Sequence, residues 1–74
     1  MLKNSILVTG GAGYVGTTLV PLLLKLNYKV LVIDTFWFGN YLTKHKNLTT
    51  LKKNILDVKE KDLKGIHSII HLAS

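Results

Sequence analysis

The segment Val8-Thr9-Gly10-Gly11-Ala12-Gly13-Tyr14-Val15-Gly16 constrains this chain more than any other. It follows the apolar run from Ser5 to Thr9, precedes a stretch of helical periodicity, and carries glycine at three-residue intervals as Gly10-x-x-Gly13-x-x-Gly16. A strand that reverses directly into a helix aims the first N–H groups of the helix, and the positive end of its dipole, at a single spot that suits a pyrophosphate. Side chains at the reversal would hold a phosphate away, and glycine removes them while tolerating unusual backbone angles. The pattern reads as a dinucleotide-binding turn. In it Gly10 permits the reversal, Gly13 the close approach of phosphate and Gly16 the contact of helix with strand, while Tyr14 and Val15 offer backbone N–H groups to the pyrophosphate. A purely structural tight turn would use the same glycines, so the flanking pattern must decide.

That pattern is strand, helix, strand. Ser5 to Thr9 suits a strand buried on both faces of a parallel sheet. From Gly13 to about Leu26, the residues Val15, Leu19, Val20, Leu22, Leu23 and Leu26 recur at helical spacing, and Pro21 within them predicts a kink because it deletes one backbone hydrogen bond. Asn27-Tyr28 is the exit turn, and Lys29 to Asp34 is a second strand with an acid at its C-terminal end. Thr35 to Asn47 shows neither period and reads as a loop. Its aromatic residues Phe36, Trp37, Phe38 and Tyr41 are expected to cover the sheet edge or to meet a partner subunit. Leu48 to Lys53 is a third strand. Asp57 with Glu60 three residues on resembles a capping box and predicts a short helix to about Lys64. After Gly65, Ile66 leads into a fourth strand over His67 to Ala73. Right-handed crossovers join these strands into one parallel sheet of order 3-2-1-4 with helices packed on it, an α/β arrangement that is part of a Rossmann fold. Ligands bind such sheets at the C-terminal strand ends, where the glycine turn and Asp34 both fall.

Composition narrows the remaining classes. A chain of 74 residues makes one small domain, burying roughly 60% of the surface of its unfolded form, which leaves independent stability marginal. It has no cysteine to staple it. The hydrophobic content of 47% and mean hydropathy of +0.27 belong to a globular chain, with an apolar excess that suggests faces meant for neighbours. No apolar run reaches the roughly 20 residues of a membrane span, and the N-terminus lacks a signal-peptide arrangement, so neither membrane nor export is expected and the cytoplasm is the expected compartment. The net charge of +6 comes from ten lysines and no arginine. These lysines are dispersed, without the clustering or arginine forks of a nucleic-acid face, so a solvated surface is expected and no nucleic-acid partner. His45, His67 and His71 show no metal-ligand spacing, and His71 reads as a structural residue of a strand.

Asp34 stands at the distance from the glycine turn expected of an acid that accepts hydrogen bonds from an adenosine ribose. Its charge would repel a 2′-phosphate, and the absence of arginine removes the usual partner of that group, although a lysine such as Lys44 could substitute. Both features favour NAD over NADP.

With these residues in place, the chain resembles the N-terminal portion of the extended short-chain dehydrogenase/reductase family, in particular the nucleotide-sugar epimerases and dehydratases. The resemblance rests on the glycine turn, on Asp34 with the following Thr35-Phe36-Trp37-Phe38-Gly39-Asn40, on Lys53-Asn54-Ile55-Leu56-Asp57, and on Ile69-Ile70-His71-Leu72-Ala73-Ser74. It implies that Asn54 accepts a hydrogen bond from the adenine amino group while Ile55 uses its backbone. The family usually has aspartate at that position, so asparagine gives an uncharged, weaker contact and leaves Asp57 as a helix cap. Thr35 replaces the asparagine common after the ribose-binding acid. The resemblance further implies that Leu72 and Ala73 make close backbone contacts, and Ser74 a hydroxyl contact, beside the pyrophosphate and nicotinamide ribose.

The same resemblance implies an activity. In the family a tyrosine, its pKa lowered by a lysine in a Tyr-x-x-x-Lys helix, takes a proton from a sugar hydroxyl as hydride passes to NAD, and a serine or threonine orients the hydroxyl. None of the three tyrosines here has a lysine four residues on: Tyr14, Tyr28 and Tyr41 are followed there by Thr18, Val32 and His45. Residues 1–74 are thus expected to be an incomplete NAD-binding domain with no catalytic residue of its own. A longer parent enzyme, homodimeric and acting on a nucleotide sugar, would supply the substrate-binding and catalytic parts. The alternatives are a non-catalytic NAD-sensing module on the same turn and a truncated product without stable function.

Overall fold

The computed structural model describes residues 4–10, 13–36 and 42–72. Four strands form one sheet: β1 (Ser5–Thr9), β2 (Lys29–Asp34), β3 (Leu48–Lys52) and β4 (Ser68–His71). A single α-helix among the described residues, α1 (Tyr14–Lys25), joins β1 to β2. The spatial order is β3-β2-β1-β4, and every pairing is parallel, which is the expected 3-2-1-4 arrangement.

β1 lies in the middle of the sheet because it is apolar on both faces. Ile6 and Val8 point to one side and join Val30 and Val32 of β2 and Val20, Leu23 and Leu24 of α1 in the core. Leu7 and Ile33, which the alternation sends to the other side, are only 1% and 2% exposed. The step from β3 to β4 runs opposite to the step from β1 to β2, so right-handedness carries it over the face away from α1. Each fully buried aliphatic side chain of this kind contributes about 1.5–3 kcal/mol.

α1 uses one of two apolar stripes. Gly16, Val20, Leu23 and Leu24 are buried, whereas Val15, Leu22 and Leu26, expected to share the packed face, are 59%, 53% and 52% exposed. At roughly 100° per residue the second stripe lies about a third of a turn from the first, and the sheet can cover only one. The helix continues through Pro21. It ends as helices with a left-handed residue do: Asn27 has φ +70, its N–H donates to the Leu24 carbonyl at 3.0 Å, and the Tyr28 N–H donates to the Leu23 carbonyl at 3.0 Å. This double closure satisfies two carbonyls of the last turn and delivers Tyr28 against the core.

The expected helix from Asp57 to Lys64 is replaced by two 3-10 turns, Ile55–Asp57 and Glu60–Leu63. Asn54 starts the first one early, because its Oδ1 accepts the Leu56 N–H at 2.9 Å and its carbonyl accepts the Asp57 N–H at 2.9 Å. Asp57 is therefore the last residue of a turn and not a cap. Lys59 is extended, with φ −110 and ψ 162, and its N–H donates to the Asp62 carboxylate at 2.9 Å. That carboxylate also holds Lys53 Nζ at 2.8 Å. The acid closing the box is Asp62 instead of Glu60, and the break at residues 58–59 prevents a continuous helix. β3 and β4 are also shorter than expected, by Lys53 in one and by His67 and Leu72 in the other. The His67 and Leu72 N–H groups still donate across to Ser5 and Thr9 carbonyls at 2.9 and 2.8 Å. Ala73 lies outside the described residues.

Candidate functional site

The register sets the C-terminal ends of the strands at one level. Thr9 of β1 pairs with Ile33 of β2 and with His71 of β4, while Asp34 pairs with Lys52 of β3. Gly10, Gly13, Thr35, Asn54 and Leu72 follow strand ends, Asp34 closes β2, Tyr14 to Gly16 open α1 and Ile55 opens the first 3-10 turn, so the topology gathers them along one edge. Ala73 and Ser74, assigned to the same edge by the sequence, lie outside the described residues, as do Gly11, Ala12 and residues 37–41.

Gly10 makes the reversal. Its φ is +73, a left-handed angle that costs a residue with a Cβ roughly 1–2 kcal/mol. Its N–H donates to the Ile33 carbonyl at 2.9 Å, which ties the turn to the residue just before Asp34. The Gly10 carbonyl in turn accepts the Gly13 N–H at 3.1 Å.

Gly13 is glycine for a different reason. Its φ of −77 and ψ of −175 are extended backbone open to any residue. A Cβ built there would meet nothing closer than the Gly10 carbonyl oxygen at 3.4 Å, an ordinary contact. Among the described residues, neither strain nor crowding requires the missing side chain. Gly13 is also the N-cap of α1 and provides no side-chain hydrogen bond to it. The Thr17 N–H reaches the Gly13 carbonyl at 2.9 Å, so among the described residues the N–H groups of Tyr14, Val15 and Gly16 precede the first intrahelical bond of α1. Tyr14 and Val15 are exposed and Gly16 is buried. The first turn holds no acidic residue, which suits an anion at the positive end of the helix.

Asp34 is half-buried at the end of β2. Its Oδ1 accepts the Phe36 N–H at 2.7 Å, and Phe36 adopts φ +54, an uncommon angle for an aromatic residue. Phe36 packs on the α1-side core, so the chain leaves β2 in a tight turn that orients the carboxylate from behind. The Asp34 carbonyl accepts the Lys53 N–H at 2.9 Å, carrying the following residue, Asn54, to the same edge. Asn54 Oδ1 has a backbone partner in Leu56 and, as a carbonyl oxygen, a second lone pair. Thr35 is exposed.

Three features here have no clear signal in the sequence. The Thr9 hydroxyl pairs with His71 Nδ1 across the ends of β1 and β4 at 2.5 Å. The Asp34–Phe36 turn and the Lys53–Asp62 ion pair complete the set. The two carboxylates sit near turn residues and could have been suspected, but the Thr9–His71 contact joins residues 62 positions apart and could not. Among the described residues no group of three or more histidine, cysteine or acidic side chains could hold a metal ion, and no helix is long and apolar enough to cross a membrane.

Comparison with known proteins agrees with this geometry. The model of the NAD dependent epimerase/dehydratase family matches residues 6–74. The chain is 35% identical over 71 residues to a UDP-glucose 4-epimerase of Corynebacterium glutamicum, an alignment covering 93% of this chain and 22% of that protein. Among solved structures it superimposes on TunA, an NAD-dependent NDP-hexosamine 5,6-dehydratase involved in tunicamycin biosynthesis, with TM-score 0.83 and 33% identity over 97% of this chain and 24% of that one. It also superimposes on the dTDP-glucose 4,6-dehydratase of Bacillus anthracis in complex with NAD, with TM-score 0.85 and 27% identity over 97% of this chain and 27% of that one. The chain thus spans about a quarter of the length of the proteins it matches. With its family-model match, parallel 3-2-1-4 sheet and glycine turn at the C-terminal edge, this chain belongs to the NAD dependent epimerase/dehydratase family.

Proposed function

We infer that residues 1–74 are the N-terminal part of an NAD-binding domain in an enzyme that acts on nucleotide sugars, with the catalytic and substrate-binding residues outside this segment. The observation that carries the reading is Gly13: an ordinary backbone angle and, among the described residues, an uncrowded Cβ position favour the approach of a ligand as the reason for glycine there. The N–H groups of Tyr14 and Val15 would donate to the pyrophosphate, as the uncapped helix start allows. Asp34 would accept from the adenosine ribose beside Thr35, Asn54 and Ile55 would meet the adenine, and Leu72, Ala73 and Ser74 would flank the nicotinamide ribose. Bound NAD supplies a hydride acceptor.

The nucleotide-sugar substrate is supported by the relatives, whose names specify UDP-glucose, an NDP-hexosamine and dTDP-glucose. A cytoplasmic, homodimeric parent enzyme completes the proposal, the compartment being in keeping with a chain free of cysteine. Heat denaturation with and without NAD tests the cofactor assignment. At ten times the dissociation constant the ligand adds about 1.4 kcal/mol, which raises the midpoint of a domain this size by roughly 5–10 °C. No shift at millimolar NAD would refute it.

A further inference from the structure

Every residue of β1 between Ser5 and Gly10 is aliphatic except the last, Thr9. Thr9 is 2% exposed, and valine would fill the same volume and suit the strand equally well. A buried hydroxyl is unfavourable unless it is hydrogen-bonded. Its partner in this structure is His71 Nδ1, on the last residue of β4 and level with Thr9 in the register.

The two residues occupy corresponding places. Thr9 immediately precedes Gly10, where the phosphate turn begins, and His71 immediately precedes Leu72. The Leu72 N–H donates to the Thr9 carbonyl at 2.8 Å, so a backbone tie and a side-chain tie meet at the ends of the same two strands. A lone backbone bond at a strand end permits fraying and rotation of the strand about its axis. A second bond, made by side chains on one face of the sheet, opposes both. β4 is four residues long and lies at the edge of the described sheet, where such fraying would be greatest.

Building on the assignment of NAD to this edge, we propose that Thr9 and His71 are a positioning pair that fixes the phosphate turn relative to the chain leaving β4. Neither residue needs to touch the cofactor. The hydroxyl holds the imidazole through Nδ1, and the ring locks the end of β4 against β1. The two walls of the site, one starting at Gly10 and the other at Leu72, then keep a constant separation. His71 serves through its contact with Thr9 and not as a base.

The test measures NAD affinity by calorimetry in the 74-residue chain and in Thr9→Val, Thr9→Ser, His71→Gln and the Thr9→Val/His71→Gln double variant, with melting curves to confirm folding. Thr9→Val is expected to weaken NAD binding about fivefold, the size of one lost hydrogen bond, while Thr9→Ser, which keeps the hydroxyl, stays within about twofold of wild type. His71→Gln should match Thr9→Val, and the double variant should be no weaker than the weaker single variant, because both remove one interaction. Nitrogen NMR of the imidazoles gives a second readout. His71, identified by its disappearance in His71→Gln, should show one fixed tautomer in wild type and an averaged ring in Thr9→Val. Full NAD affinity in Thr9→Val, failure of serine to rescue, additive losses, or an unchanged His71 ring would each overturn the inference. If Thr9→Val does not fold, His71→Gln, at an exposed position, decides the matter alone. Wild type that binds no NAD would remove the cofactor assignment and this inference together, whereas wild type and Thr9→Val binding equally would remove only the inference.

Discussion

The N–H of Gly10 donates to the carbonyl of Ile33 at 2.9 Å, so the glycine turn after β1 is fastened to the residue before Asp34. The bond extends the β1–β2 ladder to the point where a candidate phosphate site meets a candidate ribose site. Gly10 itself turns the chain out of the strand at φ +73. Gly10→Ala should therefore destabilise the fold by about 1–2 kcal/mol, read as a lower midpoint in urea with an unchanged slope. An unaltered midpoint would show that the turn does not need glycine at this position.

Asp34 has two consequences that separate experimentally. Asp34→Ala removes the acceptor for the Phe36 N–H and should cost about 1 kcal/mol of stability, whereas Asp34→Asn retains an oxygen there. Both variants lose the charge that opposes a 2′-phosphate, so both should weaken NAD binding more than NADP binding. Equal losses for the two cofactors would undo the ribose assignment.

Asp62 makes stability depend on pH in the acid range. The Lys53 side-chain hydrogen bond, followed by the Lys59 backbone N–H, holds its carboxyl below the ordinary aspartate value of 3.8. A carboxylate lowered by folding contributes stability that is fully present above its unfolded value and is lost as pH falls through the folded one. Melting temperature should therefore drop below about pH 4 more steeply in wild type than in Asp62→Asn. Parallel curves would show that the Lys53–Asp62 pair contributes nothing to this dependence.

Much of the fold follows from short-range pattern. β2 has the expected limits because the Lys29 to Asp34 run is bounded by a turn on one side and an acid on the other. The order of the sheet follows from handed crossovers once the strands are placed. The packed face of α1 was less accessible, because Val15, Leu22 and Leu26 are as apolar as the residues that are buried, and only the position of the sheet selects between the stripes. The segment after β3 departs from the expected helix for a local reason: Asn54 competes for the Leu56 N–H and starts a 3-10 turn ahead of Asp57. At the site, glycine spacing pointed to Gly10, Gly13 and Gly16, but the difference between them needed coordinates. Gly10 is required by its backbone angle, and Gly13, among the described residues, by neither angle nor crowding. Phe36 in a left-handed turn and Thr9 against His71 carry no local signature, since their causes are tertiary.

A cofactor phosphate is expected to approach the backbone at Gly13. Calorimetric titration of NAD into wild type and Gly13→Val, with melting curves on both, tests this directly. The expected result is saturable binding to wild type and none to Gly13→Val, with the melting curves showing that the variant still unfolds cooperatively. Equal NAD affinity in the two proteins would contradict the account.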